Sequence, residues 1–324
     1  MNKIFTFATQ KFIAVMISRR NIRVKVMQTL YTLDSFTEIK NGEPVKLLRR
    51  QFEQSKQLFA YLTFFLTEVA RYAEKDALKK SAKYLPTQED LNINTKVAGN
   101  ELLWKIIEEP GYKQAIADFK PLHILDEALL KKTYQILVTT DEYKEYIAAQ
   151  SREKKSEKNI LAFIFSNLML PNEHFTNHIE EHFINWDDDA EMMNLLMLNF
   201  LQKPQQFNFN EMVSKDKLHF AISLLETTLE KKEVTMELLK PKLKNWDADR
   251  IAALDLIIIQ LGIIEFLYFE TIPTKVTINE YIDLAKDYST LQSGQFINGI
   301  LDNIHKELSM AGKIEKVSFK NSKI

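Results

Sequence analysis

The fold is decided by residues 246–308, which read WDADRIAALDLIIIQLGIIEFLYFETIPTKVTINEYIDLAKDYSTLQSGQFINGILDNIHKEL. In the first part of this stretch, apolar residues recur at three- and four-residue steps, the spacing of one helix face. These residues are Ile251, Leu254, Ile258, Leu261, Ile264 and Leu267. Other apolar residues fill the positions between them, so the pattern predicts a buried central helix, with Asp247 or Asp249 as its cap.

Two further helices are predicted after Pro273. Thr274 or Thr277 can start the first of them, which carries Ile278, Ile282 and Ala285 on one face. Residues 289–293 form a break. The last helix is apolar at Phe296, Ile297, Ile300, Leu301, Ile304 and Leu308. Gly299 inside it costs about 1 kcal/mol relative to alanine, so we expect it to permit the close approach of a neighbouring helix.

Composition agrees with an all-α fold. The 324 residues are 45% hydrophobic and include only 7 glycines and 8 prolines, which favours long helices and few tight turns. The net charge of -1 means that any nucleic-acid binding must come from a local patch. The absence of cysteine excludes disulfides, thiolate catalysis and thiolate metal sites. The absence of cysteine also fits a reducing cytoplasm, where we expect the protein to be. No apolar run reaches the length of a membrane span.

Residues 17–37 predict one more amphipathic helix, with Ser18 as its cap. Four positive charges precede the first acidic residue of this segment, Asp34: Arg19, Arg20, Arg23 and Lys25. Cations at a helix N-terminus oppose the macrodipole, so the cluster favours an external anion such as phosphate. Tyr31 could stack on a base, although core packing suits its position better. A solvated helix face remains the alternative for the arginines.

Positions in both segments follow an order typical of a known family. In the C-terminal stretch they are Trp246, Asp249-Arg250, Leu254, Glu265, Pro273, Lys275-Val276, Ile278-Asn279-Glu280, Leu284-Ala285-Lys286, Ser293, Phe296 and Asn298-Gly299-Ile300-Leu301-Asp302. In the first helix they are Arg19-Arg20, Arg23, Val26, Gln28 and Leu30-Tyr31. The chain therefore resembles the transcription antitermination factor NusB family.

The resemblance implies a two-part, all-α bundle with extra inserted helices and a non-catalytic function without cofactor or metal. It implies binding to single-stranded boxA RNA of nascent ribosomal transcripts, together with the ribosomal protein NusE, in the RNA polymerase elongation complex. Arg19, Arg20, Arg23 and Lys25 would contact the RNA. A second motif would bind a partner or support the bundle: Lys275, Asn279, Glu280, Phe296 and Asn298. Thr271 and Thr274 depart from the family pattern near the partner surface.

The chain is longer than the family, which suggests an insertion at about 38–210. We expect residues 1–16 to be a loose arm or an upstream start, with Met16 as the alternative initiator. Residues 17–210 would form the N-terminal helical half, 211–312 the C-terminal half and 313–324 a flexible tail. A helical protein-interaction scaffold that has lost RNA binding, or the accessory domain of an RNA methyltransferase, is an alternative.

The spacing of His178, Glu181 and His182 matches the H-x-x-E-H pattern of inverted zinc peptidases. His174 lies one turn earlier on the same face. A catalytic zinc site needs a third protein ligand and a positioned base. The short pattern therefore favours an exposed helix face over a metal site.

Overall fold

The computed structural model describes residues 17–35, 43–204, 207–243 and 251–317. The predicted arm 1–16, both candidate caps Asp247 and Asp249, and residues 318–324 of the predicted tail lie outside these ranges. Within them all regular structure is helical, which confirms the all-α fold.

The fifteen α-helices of the described ranges are α1 (Arg19–Ser35), α2 (Glu43–Ser81), α3 (Gln88–Leu91), α4 (Glu101–Glu108), α5 (Pro110–Phe119), α6 (Glu127–Leu137), α7 (Asp141–Ala148), α8 (Lys154–Phe163), α9 (Glu173–His182), α10 (Trp186–Gln202), α11 (Lys215–Glu230), α12 (Lys232–Leu239), α13 (Ala253–Tyr268), α14 (Thr274–Tyr288) and α15 (Leu291–Met310). A π-helical turn, Ile164–Met169, continues α8. Short 3-10 segments occur at Pro121–Ile124, Phe209–Glu211 and Lys240–Leu243.

The described residues form two compact units. Unit 1 contains Ile17 and Glu53–Met212, whereas unit 2 contains the described parts of Ser18–Phe52 and Val213–Ile324. The division falls inside α2. Helix α1 therefore belongs to the same unit as the C-terminal helices, and the large stretch between Glu53 and Met212 has a core of its own.

Helix α13 is the centre of unit 2. It packs against α1, α11, α12, α14 and α15, and every residue from Ile257 to Phe266 is buried. Because apolar residues surround the helix, all its sides find partners, and the predicted central helix is confirmed. Helix α13 begins at Ala253 after Ala252, which provides no side-chain cap, and the two candidate caps Asp247 and Asp249 lie outside the described residues.

Helices α14 and α15 pack against each other and against α13. Helix α14 begins at Thr274, directly after Pro273, and buries Thr277, Tyr281, Leu284 and Ala285. The predicted face was displaced by part of a turn, since Ile278 and Ile282 are only half-buried. Helix α15 is capped by Thr290, whose hydroxyl oxygen accepts a hydrogen bond from the backbone N–H of Ser293 at 3.1 Å.

The close helix approach occurs at Gly262 of α13, not at Gly299. A Cβ atom added to Gly262 would lie 2.7 Å from Cδ2 of the buried Leu301, which is closer than van der Waals contact allows. Gly299 is exposed, and a Cβ there would meet no atom of the described chain within 4 Å. The prediction for Gly299 is therefore wrong, because no helix of the described ranges packs against α15 at this position.

This contrast gives opposite expectations for two alanine substitutions. Gly299→Ala should raise the free energy of unfolding by up to about 1 kcal/mol, because alanine has the higher helix propensity. Gly262→Ala gains the same propensity but forces Leu301 to move, and overpacking typically costs about 1–3 kcal/mol. Urea unfolding followed by circular dichroism measures both. Equal stabilisation by the two variants would contradict the assigned contact.

Unit 1 is built around a cluster of phenylalanine rings. Phe59 of α2 lies with its ring centroid 5.7 Å from that of Phe200, 4.9 Å from Phe207 and 5.5 Å from Phe209. All four rings are buried. These contacts join α2, the end of α10 and the segment after it into one core.

One residue of the histidine motif on α9, His178, is buried in unit 1, whereas His174, Glu181 and His182 are exposed. The Nε2 atom of His178 lies 2.5 Å from the Tyr61 hydroxyl oxygen, and His178 is buried. Burial and the neighbouring His182 lower the pKa of His178, so it remains neutral at physiological pH. The exposed face predicted for this helix is wrong at His178. Among the residues that the structure describes, no group of three His, Cys, Asp or Glu side chains is placed to hold a metal ion.

Candidate nucleic-acid interface

Helix α1 carries the predicted arginine cluster. Ser18 caps it as predicted, since the backbone N–H of Asn21 donates to the Ser18 hydroxyl at 3.2 Å. Ile22 and Val26 are fully buried, and the helix packs against α11 and α13. Successive residues of a helix point in different directions, so its four cations have different surroundings.

Arg23 points into unit 2. It is 2% exposed, and its guanidinium group donates to Glu265 at 2.6 Å from Nε and 3.1 Å from Nη2. Its Nη1 lies 3.3 Å from the Glu280 carboxylate. Burial alone would lower the pKa of Arg23, but the hydrogen bonds and charge of Glu265 outweigh it and raise the pKa above its ordinary value. Arg23 is thus a permanently charged part of a buried ion pair.

Glu265 is fully buried and uses both carboxylate oxygens. Beyond Arg23, it accepts hydrogen bonds from the Thr277 hydroxyl at 3.0 Å and the Tyr281 hydroxyl at 2.8 Å. Burial and the negative charge of Glu265 raise the pKa of Tyr281 well above its usual value, so the phenol remains a donor. These four side chains tie α1, α13 and α14 together.

Two other cations of the cluster are also engaged within unit 2. Lys25 is only 2% exposed. The guanidinium group of Arg20 lies 2.8 Å from the Asp287 carboxylate and 3.4 Å from that of Asp283, and its side chain is 40% exposed. The expectation of an unneutralised surface patch is therefore wrong for Arg20, Arg23 and Lys25. Arg23 and Lys25 are buried, and carboxylates of α14 pair with Arg20 and Arg23.

Arg19 is the exposed member of the cluster. It makes no ion pair with any residue that the structure describes, and its guanidinium carbon lies 5.6 Å from the centroid of the Phe220 ring. Lys217 of α11 lies nearby: partial burial and then the charge of Arg19 lower the pKa of Lys217. Sequence reasoning missed Lys217, which lies almost two hundred positions from Arg19 in the chain.

Tyr31, at the other end of α1, is 48% exposed rather than packed in the core. Unit 2 thus has an exposed arginine, Arg19, with the half-buried Lys217 near it, and an exposed aromatic ring at the far end of α1. Such groups can bind phosphate oxygens and stack on bases of a single-stranded nucleic acid.

The second predicted motif divides in a similar way. Lys275, Asn279 and Asn298 are exposed on α14 and α15, and Phe296 is half-buried. Glu280 instead contacts Arg23 and supports the buried ion pair. Thr271 is exposed and Thr274 half-buried at the start of α14.

No helix in the described ranges is long and apolar enough to span a membrane. In the part of the chain that the structure describes, the protein is all-helical, and the arginine-bearing helix α1 packs on the apolar central helix α13.

Comparison with known proteins identifies the family to which this all-helical protein is similar. The model of the NusB family matches residues 184–306. A protein of Methylacidiphilum infernorum, named transcription antitermination protein NusB, is 43% identical over 101 residues, which are 31% of this chain and 70% of that protein. The proteins of the same name from Finegoldia magna and Thermodesulfovibrio yellowstonii are 37% and 41% identical, over 32% and 34% of this chain and 77% and 74% of their own lengths.

The chain belongs to the NusB family. No solved structure matches it. The family match includes α10 to α14 and most of α15. It begins before residue 211, where the sequence analysis places the start of the C-terminal half. The match does not include α1. That helix nevertheless packs against α11 and α13, which are both in the matched part.

Proposed function

We propose that the protein is a cytoplasmic, RNA-binding transcription antitermination factor. It acts on boxA-type nascent ribosomal RNA together with the ribosomal protein NusE, in the RNA polymerase elongation complex. The observation that carries this proposal is the similarity to relatives named transcription antitermination protein NusB, at 37–43% identity. The function is binding rather than catalysis, as in the family that the sequence resembles.

The exposed Arg19 and the half-buried Lys217 support a narrower RNA surface in unit 2 than the sequence predicts. Arg19 and Lys217 contact phosphates, with Arg20 at the margin of the surface, because a guanidinium fork can bind two phosphate oxygens at once. Tyr31 offers a ring for stacking. Arg23 and Lys25 act indirectly: Arg23 holds α1 on α13, and Lys25 lies inside the unit.

The exposed residues of the second motif form the proposed NusE surface. Lys275 and Asn279 are exposed on α14, Asn298 is exposed on the adjacent α15, and Phe296 of α15 is half-buried. An exposed Val276 adds apolar area to the same helix. Polar groups around an apolar centre are typical of protein interfaces.

Arg19→Ala should weaken binding to boxA RNA by about fivefold and reduce the salt slope of log K by about 0.7, the value for one lost phosphate contact on a single strand. The unfolding transition should not move, because Arg19 is exposed. Fluorescence anisotropy with labelled boxA RNA, with and without NusE, measures the affinity. Lys240→Ala, which removes an exposed charge elsewhere in unit 2, is the control and should bind as the unchanged protein does.

Arg23→Ala distinguishes the structural role proposed for Arg23 from the direct RNA contact that the sequence predicts. We expect loss of stability from this variant, seen by circular dichroism, since it leaves Glu265 buried without its cation. An Arg23 variant that stayed folded and lost as much RNA affinity as Arg19→Ala would show that Arg23 touches the RNA.

A protein-interaction scaffold without RNA binding is the second candidate. The burial of Arg23 and Lys25 and the pairing of Arg20 with Asp283 and Asp287 favour it, because they remove most of the cluster's charge from the surface. NusE binding without any boxA binding, at low salt and with NusE present, would establish the scaffold and exclude the antitermination proposal.

A further inference from the structure

Unit 1 contains a basic cleft that the RNA surface of unit 2 does not use. It has a volume of about 350 Å³ and lies between α4, the start of α8 and the end of α10. Its lysines come from all three places: Lys105 from α4, Lys154 and Lys158 from α8, and Lys203 from the end of α10. Lysines that converge on one cleft from separate elements form a local positive field in a chain whose net charge is -1.

Two acids also line the cleft, the exposed Glu101 and the buried Glu157, so its four lysines exceed its carboxylates by two. The buried acid is already compensated. Glu157 is 2% exposed and accepts hydrogen bonds from the backbone N–H of Glu101 at 2.6 Å and the Tyr146 hydroxyl at 2.8 Å. Arg152 lies 3.5 Å from its carboxylate. The charge of Glu157 is therefore satisfied by groups other than the cleft lysines.

Three of the cleft lysines, Lys105, Lys154 and Lys158, have no carboxylate partner among the residues that the structure describes. The Nζ atom of Lys158 donates to the neutral Gln202 side chain at 2.5 Å. Lys105 and Lys154 are exposed and form no ion pair with any part of the chain that the structure describes. Two free ammonium groups thus line the cleft.

The backbone adds to this positive field. Lys154 is the first residue of α8, a helix whose preceding residue, Glu153, provides no side-chain cap for the backbone N–H groups. The N-terminus of a helix carries partial positive charge, which adds to the charge of Lys154, while Glu157 in the first turn offsets part of it. The exposed lysines and the uncapped helix end both favour an external anion.

We propose that this cleft binds the phosphate backbone of single-stranded nucleic acid. The lysines contact phosphate oxygens, and the buried Leu201 and Pro204 with the half-buried Leu102 provide an apolar wall for a sugar or a base. This wall favours a nucleic acid over an acidic peptide, whose charged side chains need only the lysines. The inference does not rest on boxA recognition, and most of the cleft precedes the residues of the family match.

The test uses the full chain and a labelled twelve-nucleotide oligouridylate, which lacks boxA. Lys105→Gln/Lys154→Gln should weaken binding by about tenfold and reduce the salt slope by about 1.4, as expected for two lost phosphate contacts. The matched control is Lys131→Gln/Lys132→Gln, which removes two exposed lysines of α6 away from the cleft. The control should bind as the unchanged protein does.

Equal affinities and slopes of the two double variants would overturn the proposal, as would no binding of oligouridylate by the unchanged protein at low salt. Preferential binding of poly-glutamate to the unchanged protein, with equal loss in the cleft variant, would assign the cleft to acidic peptides instead. Arg19→Ala, measured in parallel on boxA RNA, reports on unit 2 alone. The two proposals can therefore fail separately.

Discussion

Glu265→Gln should lower the free energy of unfolding by about 3–5 kcal/mol, the largest effect that we expect from one polar substitution in this protein. Glutamine keeps the size of the side chain but removes its charge. Arg23 would then remain buried with Glu280 of α14, at 3.3 Å, as its remaining carboxylate partner, and a buried cation that loses its principal counter-charge is strongly unfavourable. Urea unfolding gives the energy, and faster hydrogen exchange in α1, α13 and α14 would locate the loss in unit 2.

Glu270→Gln is the matched control for this substitution. Glu270 lies two residues after the end of α13 and is exposed, so the same chemical change should alter the free energy of unfolding by less than about 0.5 kcal/mol. The pair Arg23→Met/Glu265→Leu removes both charges and should recover much of the lost stability, because apolar side chains of similar size can replace a buried ion pair. A Glu265→Gln protein as stable as the Glu270→Gln control would show that the ion pair does not hold α1.

Phe59→Ala should cost about 3–5 kcal/mol in unit 1, the usual range for loss of a buried phenylalanine. Phe59 is fully buried and contacts three other rings, so its removal leaves a cavity that rigid aromatic neighbours cannot easily fill. Thermal and urea unfolding measure the loss, and hydrogen exchange should increase in α2 and α10.

Tyr84→Ala provides the aromatic control. The Tyr84 side chain is 97% exposed just after α2, so its removal should change stability by less than about 0.5 kcal/mol. If both aromatic substitutions had the same small effect, the phenylalanine cluster would not be the core of unit 1.

The buried ion pair also bears on RNA binding. The ion pair of Arg23 and Glu265 fixes how α1 is rotated about its axis against α13. In this orientation Arg19 lies at the surface near Lys217. A substitution in the ion pair would therefore change RNA affinity through the position of Arg19 as well as through stability. Affinity changes in Arg23 variants are informative only beside an unfolding measurement.

Much of the fold could be predicted from local sequence. The repeated apolar spacing of α13 predicts a helix because residues three and four apart share a face, and its continuous apolar character predicts burial on all sides. Ser18 predicts the start of α1 because a serine hydroxyl can accept a bond from a free N–H of the first turn. These inferences held because they depend on neighbours within one helix.

The sequence alone determined the all-α class, the central helix α13 and the family, since each follows from the order of nearby residues. Only the tertiary structure decided which arginines of the cluster are buried and paired, because Glu265, whose carboxylate pairs with Arg23, lies 242 positions away in the chain. It also decided that Gly262, rather than Gly299, meets a neighbouring helix. Burial and pairing depend on which helix faces come together, and distant parts of the chain determine that packing.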